Sequence, residues 1–259
     1  MKRRQFVAAS LLAGLTPAAF PASSPAAEKP TKELYELRFF KLASPEKAAV
    51  MEYFFQQAAI PVWNRLGIGP VGVFKMLDGK DPGLYVLLPH KSLESVVTLS
   101  AKMAADRAFL QAGAAVFDAP PKDPAYLRMQ STLLLAFDGM PKLEVPTTKE
   151  TRILQLRIYE SPGLRMARRK LEMFNTAGEM AIFRRAGMAA VFFGEAIISD
   201  RMPHLTYMLG FDDQAALDKA WAAFKADPEW LKLKTRPEFV DTVSNITNIL
   251  LRPAKGSQI

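Results

Sequence analysis

The sequence predicts an α+β protein. Two tandem ferredoxin-like domains (β-α-β-β-α-β) pair their antiparallel sheets face to face as one intramolecular α/β barrel. Three observations predict it. The chain has 259 residues, enough for two domains of about 110 residues behind a leader. Its second half repeats the first, Leu37-Arg38 recurring as Leu156-Arg157. Within each copy the apolar pattern runs strand, helix, strand, strand, helix, short helix, strand.

The elements of the two copies can be taken in parallel. "LYELRFF" (34–40) and "LQLRIYE" (154–160) open the copies as alternating strands, each running into Ser-Pro, at Ser44-Pro45 and Ser161-Pro162. In the first copy a helix start is natural there, with Ser44 as N-cap and Pro45 at the first helical position, and amphipathic stretches follow at 50–63 and 167–185. "GIGPVGVFKM" and "AGMAAVFFGEA" are small-residue turns leading into β-rich runs; "LYVLLPH" (84–90) and "LTYMLGF" (205–211) complete the central hairpins. Asp212-Asp213 reads as a helix N-terminus at a strand end. In "KADPEWLK" (225–232) Asp227 caps a helix, Pro228 takes its first position and Trp230 anchors it; "AADRAFLQ" (104–111) keeps the cap as Asp106 and the anchor as Phe109. The last strands are 131–137 and 247–253. The domains therefore span 33–138 and 152–255, joined by the turn-rich linker 139–151.

Residues 1–26 read as a signal peptide: a basic start, the apolar run Phe6–Leu15, then small residues and prolines. Arg3-Arg4-Gln5-Phe6 matches the core of the twin-arginine export motif. Periplasmic or extracellular localisation follows, and losing Lys2, Arg3 and Arg4 lowers the formal net charge from +8 to +5. No apolar run is long enough for a stable membrane span.

Several chemistries are excluded. With no cysteine there is no disulfide, zinc-thiolate site or thiol nucleophile; with only His90 and His204 there is no three-histidine metal site. No nucleophile elbow, phosphate loop or dinucleotide fingerprint is present. The densest basic cluster, Arg165 with Arg168-Arg169-Lys170, reads as a solvated helix face, so nucleic acid is not an expected partner.

Side chains alternate along a strand, so each first strand has two faces. Tyr35, Leu37 and Phe39, with Leu154, Leu156 and Ile158, form the apolar set expected to pack on helices. Glu36, Arg38 and Phe40, with Gln155, Arg157 and Tyr159, form the opposite set, expected to point into the barrel. That set is either an internal salt-bridge network or the polar floor of a ligand cavity, with Tyr207 as a further wall. Gln155 leaves Arg157 less compensated than Glu36 leaves Arg38, so an anionic group belongs at Arg157.

"YELRFFKL", "AGMAAVFFGEA" and above all "FKADPEW" resemble the NIPSNAP family of the dimeric α/β-barrel superfamily, over about 33–137 and 152–252. The first copy departs from the pattern, with "ADRAF" in place of "ADPEW". The resemblance implies ferredoxin-like sheets paired into a barrel and carries over no catalytic residues. Superfamily relatives include cofactor-free monooxygenases, haem-using enzymes, isomerases and proteins without known activity. The leading expectation is a small, partly apolar molecule bound between the sheets. The alternatives are a cofactor-independent monooxygenase or isomerase and a non-catalytic interaction module, the latter using Met103, Phe109, Phe117, Trp221 and Trp230. No cofactor is expected; haem, on His204, His90, Tyr207 or a methionine, is the lesser alternative. Self-association is compatible with the sequence.

Overall fold

The structure, a computed structural model, describes residues 31–259; the signal-peptide reading lies outside the described residues. The first repeat comprises β1 (Leu34–Lys41), α1 (Pro45–Phe54), a π-helical turn (Phe55–Ala59), α2 (Ile60–Arg65), β2 (Gly72–Met76) and β3 (Leu84–His90). It continues through α3 (Leu93–Ala104), α4 (Arg107–Ala112), α5 (Ala114–Phe117) and β4 (Arg128–Ala136). The second comprises β5 (Ile153–Glu160), α6 (Leu164–Asn175), α7 (Glu179–Arg185), β6 (Ala189–Ile198), β7 (His204–Phe211), α8 (Gln214–Ala226), α9 (Pro228–Leu233) and β8 (Asn245–Pro253). No helix among the described residues is long and apolar enough to cross a membrane.

The strands close into one barrel in the order β1-β3-β2-β8-β5-β7-β6-β4, all pairs antiparallel. Each repeat contributes a four-stranded ferredoxin-like sheet, and the repeats join at two seams, β2–β8 and β4–β6. Closure pairs every strand on both sides, which removes the unpaired edges a lone four-stranded sheet would expose.

Local sequence sets the ends of the helices in both repeats. Ser44 Oγ accepts from Lys47 N ahead of Pro45, Asp213 Oδ1 accepts from Ala216 N, and Asp106 and Asp227 accept from the first turns of α4 and α9. Gly67 and Gly187 terminate α2 and α7 with left-handed backbones, φ 75° and 79°. In each case the residue after the glycine closes a six-residue ring, Ile68 N to Trp63 O and Met188 N to Phe183 O, both 2.9 Å. This Schellman closure recurs because the Arg-x-Gly sequence recurs.

The faces of the strands are reversed relative to expectation. Tyr35, Leu37, Leu154 and Leu156 point into the barrel, joined by Phe74, Leu87, Leu134, Phe192, Met208 and Leu251, so that all eight strands contribute to an apolar lumen. Phe39 stands at the barrel mouth against Tyr85, ring centroids 4.7 Å apart. The set Glu36, Arg38, Phe40, Gln155, Arg157 and Tyr159, with Tyr207, lies on the outer face beneath the helices, where Phe40 joins the first-repeat core and Tyr159 and Tyr207 the second. The lumen therefore does not form the polar-floored cavity expected between the sheets. Both faces of a barrel strand are buried when helices cover the outside, so apolarity alone does not choose between them. Charge does: the closed lumen offers a guanidinium neither water nor room, whereas the helix layer has openings to solvent.

Candidate functional site

In the first repeat the outer face is electrostatically closed. Arg38 donates to both oxygens of Glu36, at 2.8 Å each, and Ser131 on β4 donates to Glu36 Oε1 at 2.7 Å. His90 lies buried at the end of β3, with Nε2 3.6 Å from Glu36 Oε2 and Nδ1 2.9 Å from Ser95 Oγ. Burial pushes the Glu36 carboxyl up, but His90, Arg38 and Ser131 outweigh it and hold it down at about 2. Arg38 also sits 5.9 Å from the centre of the Trp63 ring.

The same positions in the second repeat make a different site. Gln155 replaces Glu36 and is held between Trp221 Nε1, which donates to its Oε1 at 2.7 Å, and Asn248 Oδ1, which accepts from its Nε2 at 2.7 Å. Arg157 donates to Asn248 Oδ1 and to the Tyr159 hydroxyl, both at 3.2 Å. Its guanidinium carbon lies 4.7 Å from the Trp221 ring centre and 5.3 Å from that of Tyr159. Neutral oxygens thus take the hydrogen bonds that a carboxylate takes at Arg38, and among the described residues no ion pair forms at Arg157. Gln155, Arg157 and Trp221 line a cleft of about 580 Å³ with Leu217, Asp218, Ala222 and Lys225. Asp218 accepts from Gln214 at 2.9 Å on the α8 surface.

Behind Tyr159 the floor is ionic and buried. Lys170 on α6 meets Glu179 at the start of α7 at 2.8 Å, and both side chains are almost wholly excluded from solvent. Lys170 Nζ lies 4.7 Å from the Phe174 ring centre and 5.5 Å from that of Tyr159. Burial raises the Glu179 carboxyl above its ordinary range, with Lys170 opposing the rise. Tyr207 donates to the Tyr159 hydroxyl at 2.9 Å, and burial first, then Tyr159, pushes the Tyr207 phenol well up against the opposing charge of Arg157, so it remains a donor.

The model of the family described as NIPSNAP matches twice, over residues 35–138 and 154–258. The chain belongs to the NIPSNAP family. No curated protein matches it in sequence. Among solved structures, a "putative monooxygenase" from Lactobacillus acidophilus is similar at a TM-score of 0.58 and 10% identity, over 88% of this chain and 97% of that one. A "putative monooxygenase" from Fusobacterium nucleatum gives 0.59 and 9%, over 87% and 94%. An anthrone oxidase-like protein gives 0.54 and 12%, over 87% and 92%. At these identities the likeness establishes the fold, and the reactions in those names belong to those proteins.

Within the NIPSNAP repeats the residues expected to act together separate into two sites. Glu36, Arg38 and Phe40 lie beneath the first helix layer, while Gln155, Arg157, Tyr159 and Tyr207 lie beneath the second. Lys170 corrects the solvated-face reading: Arg165, Arg168 and Arg169 are exposed, but Lys170 is buried. A signal for it existed. The buried spacing Met51, Phe54, Phe55 recurs as Lys170, Met173, Phe174, which puts the lysine where the first repeat has an apolar side chain. Asn248 and Lys225 had no such signal, because strand register sets Asn248 beside Arg157 and the packing of α8 brings Lys225 to the cleft. Of the aromatic set considered for partner contacts, Phe109 is buried, Met103, Trp221 and Trp230 pack against the two outer cores, and Phe117 stays partly exposed. His90 and His204 are both buried, on separate repeats; among the described residues no group of three His, Cys, Asp or Glu could hold a metal ion.

Proposed function

We propose that this NIPSNAP protein is exported and binds a small, partly apolar molecule bearing a carboxylate in the cleft of the second repeat. The observation that carries the reading is internal to the chain. Arg38 holds a carboxylate from its own repeat, whereas Arg157, at the matching position, faces a cleft and holds none. Glu36 on Arg38 is thus an intramolecular picture of the ligand on Arg157, with two parallel N–H···O bonds of the charge-assisted kind. Trp221 and Leu217 supply apolar walls, and Lys225 adds a second cation at the rim. The buried Lys170–Glu179 pair fixes the ring of Tyr159, which in turn positions Arg157.

Titration of alkyl and aryl carboxylates, followed by calorimetry and by Trp221 fluorescence, tests the reading. Arg157→Gln should weaken binding about 10-fold or more, the loss of a charge-assisted pair, while the melting transition stays intact. Binding unchanged by that substitution would refute the site. For export, replacing Arg3 and Arg4 with lysine should leave unprocessed precursor inside the cell; normal processing would remove the twin-arginine route.

A further inference from the structure

A second cleft adjoins the first. About 630 Å³ in volume, it is lined by Met76 at the end of β2, by Leu77, Asp78, Lys80 and Asp81 from the β2–β3 hairpin of the first repeat, and by Asn248, Ile249 and Leu250 from β8. Asn248 is the wall between the two clefts, since its Oδ1 accepts from both Gln155 and Arg157 on the far side. Trp221 in the first cleft and Leu77 and Leu250 in the second all pack against one apolar cluster, so apolar side chains flank the polar pair Gln155–Asn248 on both sides. Ile246 and Asn248 on the outer face of β8 are exposed.

The two ends of this trough are chemically unlike. Arg157 and Lys225 stand at one end with Asp218, a net positive charge; Asp78 and Asp81 stand at the other with Lys80, a net negative charge. β8 separates β5 from β2, so the trough reaches roughly 10 Å, two strand spacings, from the strand of Arg157 to that of the hairpin.

We infer that the ligand is an elongated monocarboxylate: its head on Arg157, its apolar tail crossing β8 at Asn248 and ending over Leu77 and Leu250. This rests on the proposed carboxylate site and extends it. The acidic hairpin sets the direction of binding and disfavours a second carboxylate at the far end. The first repeat contributes the tail-binding half, so neither repeat alone completes the site.

Calorimetric titration of the full chain with acetate, hexanoate, dodecanoate and dodecanedioate, below micelle-forming concentrations, tests this. Dodecanoate should bind at least about 10-fold more tightly than hexanoate, as buried methylenes accumulate, and Arg157→Gln should weaken both. Leu77→Ser should reduce the gain from the longer tail and leave hexanoate unchanged. Dodecanedioate should bind less tightly than dodecanoate, and the paired Asp78→Asn, Asp81→Asn change, made on exposed loop residues, should narrow that gap even if Leu77→Ser fails to fold. Hexanoate and dodecanoate binding equally, and both through Arg157, would overturn the trough and leave the carboxylate site standing. Loss of all Arg157-dependent binding would overturn both. Dodecanoate binding that is not weakened by Arg157→Gln would place the tail elsewhere and also overturn the trough.

Discussion

Glu36 and Gln155 are nearly isosteric and occupy matching strand positions, yet one neutralises its arginine and the other does not. The Glu36 carboxyl is held at about 2, below its ordinary 4.5, because hydrogen bonds and the Arg38 charge outweigh burial. A depressed carboxyl stabilises the fold above about pH 4.5 and loses that contribution as pH falls toward 2, a difference of about 3 kcal/mol by linkage. Glu36→Gln should therefore lower the unfolding free energy by about 2–3 kcal/mol at neutral pH. Urea unfolding should show the gap between variant and wild type closing as pH falls through that window. A gap constant with pH would mean the charge is not what stabilises the site. At this scale the sequence was legible where chemistry repeats, as in Leu-Arg, and where it pointedly fails to repeat, as in Glu36 against Gln155. It was least legible at Lys170, whose neighbours Arg168 and Arg169 point to solvent while it alone turns inward.

The helices α6 and α7 correspond to α1 and α2, with the buried pair Lys170–Glu179 standing where the first repeat has Met51 and Ala59. Removing one member of a buried ion pair strands the other in a medium of low polarity. Glu179→Ala alone should destabilise the protein by about 3–5 kcal/mol, whereas Lys170→Met with Glu179→Ala, the first repeat's own solution, should fall within about 1 kcal/mol of wild type. A double-mutant cycle on chemical unfolding measures this; additive losses would show that the two residues are not coupled. Helix starts and stops were the most readable features at this scale, because a cap is a local event: Asp227 accepts from Glu229 N and Trp230 N, as the run Asp-Pro-Glu-Trp predicts. The inward face of β1 and β5 was not readable. Alternation separates Tyr35 and Leu37 from Glu36 and Arg38, but it carries no sign, and only the three-dimensional cost of enclosing Arg38 in a dry lumen supplies one.

At the scale of the whole molecule, the barrel depends on seams that neither repeat makes alone. Expressed separately, residues 31–140 would expose the edges of β2 and β4, and residues 141–259 those of β6 and β8. Each half should aggregate or associate, and mixing or co-expression should restore a soluble species of the full chain's size on gel filtration. Independent soluble, monomeric halves would contradict a closed barrel. The tandem organisation was visible in the sequence because two copies in one chain can be compared position by position. The trough across β8 was not, since it arises where the hairpin of one copy meets the last strand of the other.

Joining the repeats in one polypeptide also changes the arithmetic of binding. A barrel made from two identical chains carries each pocket twice and can couple them. Here Glu36 occupies one arginine permanently, so the protein should saturate at a single equivalent of ligand with a hyperbolic isotherm. A protein with the single proposed site would respond in proportion to supply over a wide concentration range instead of switching at a threshold.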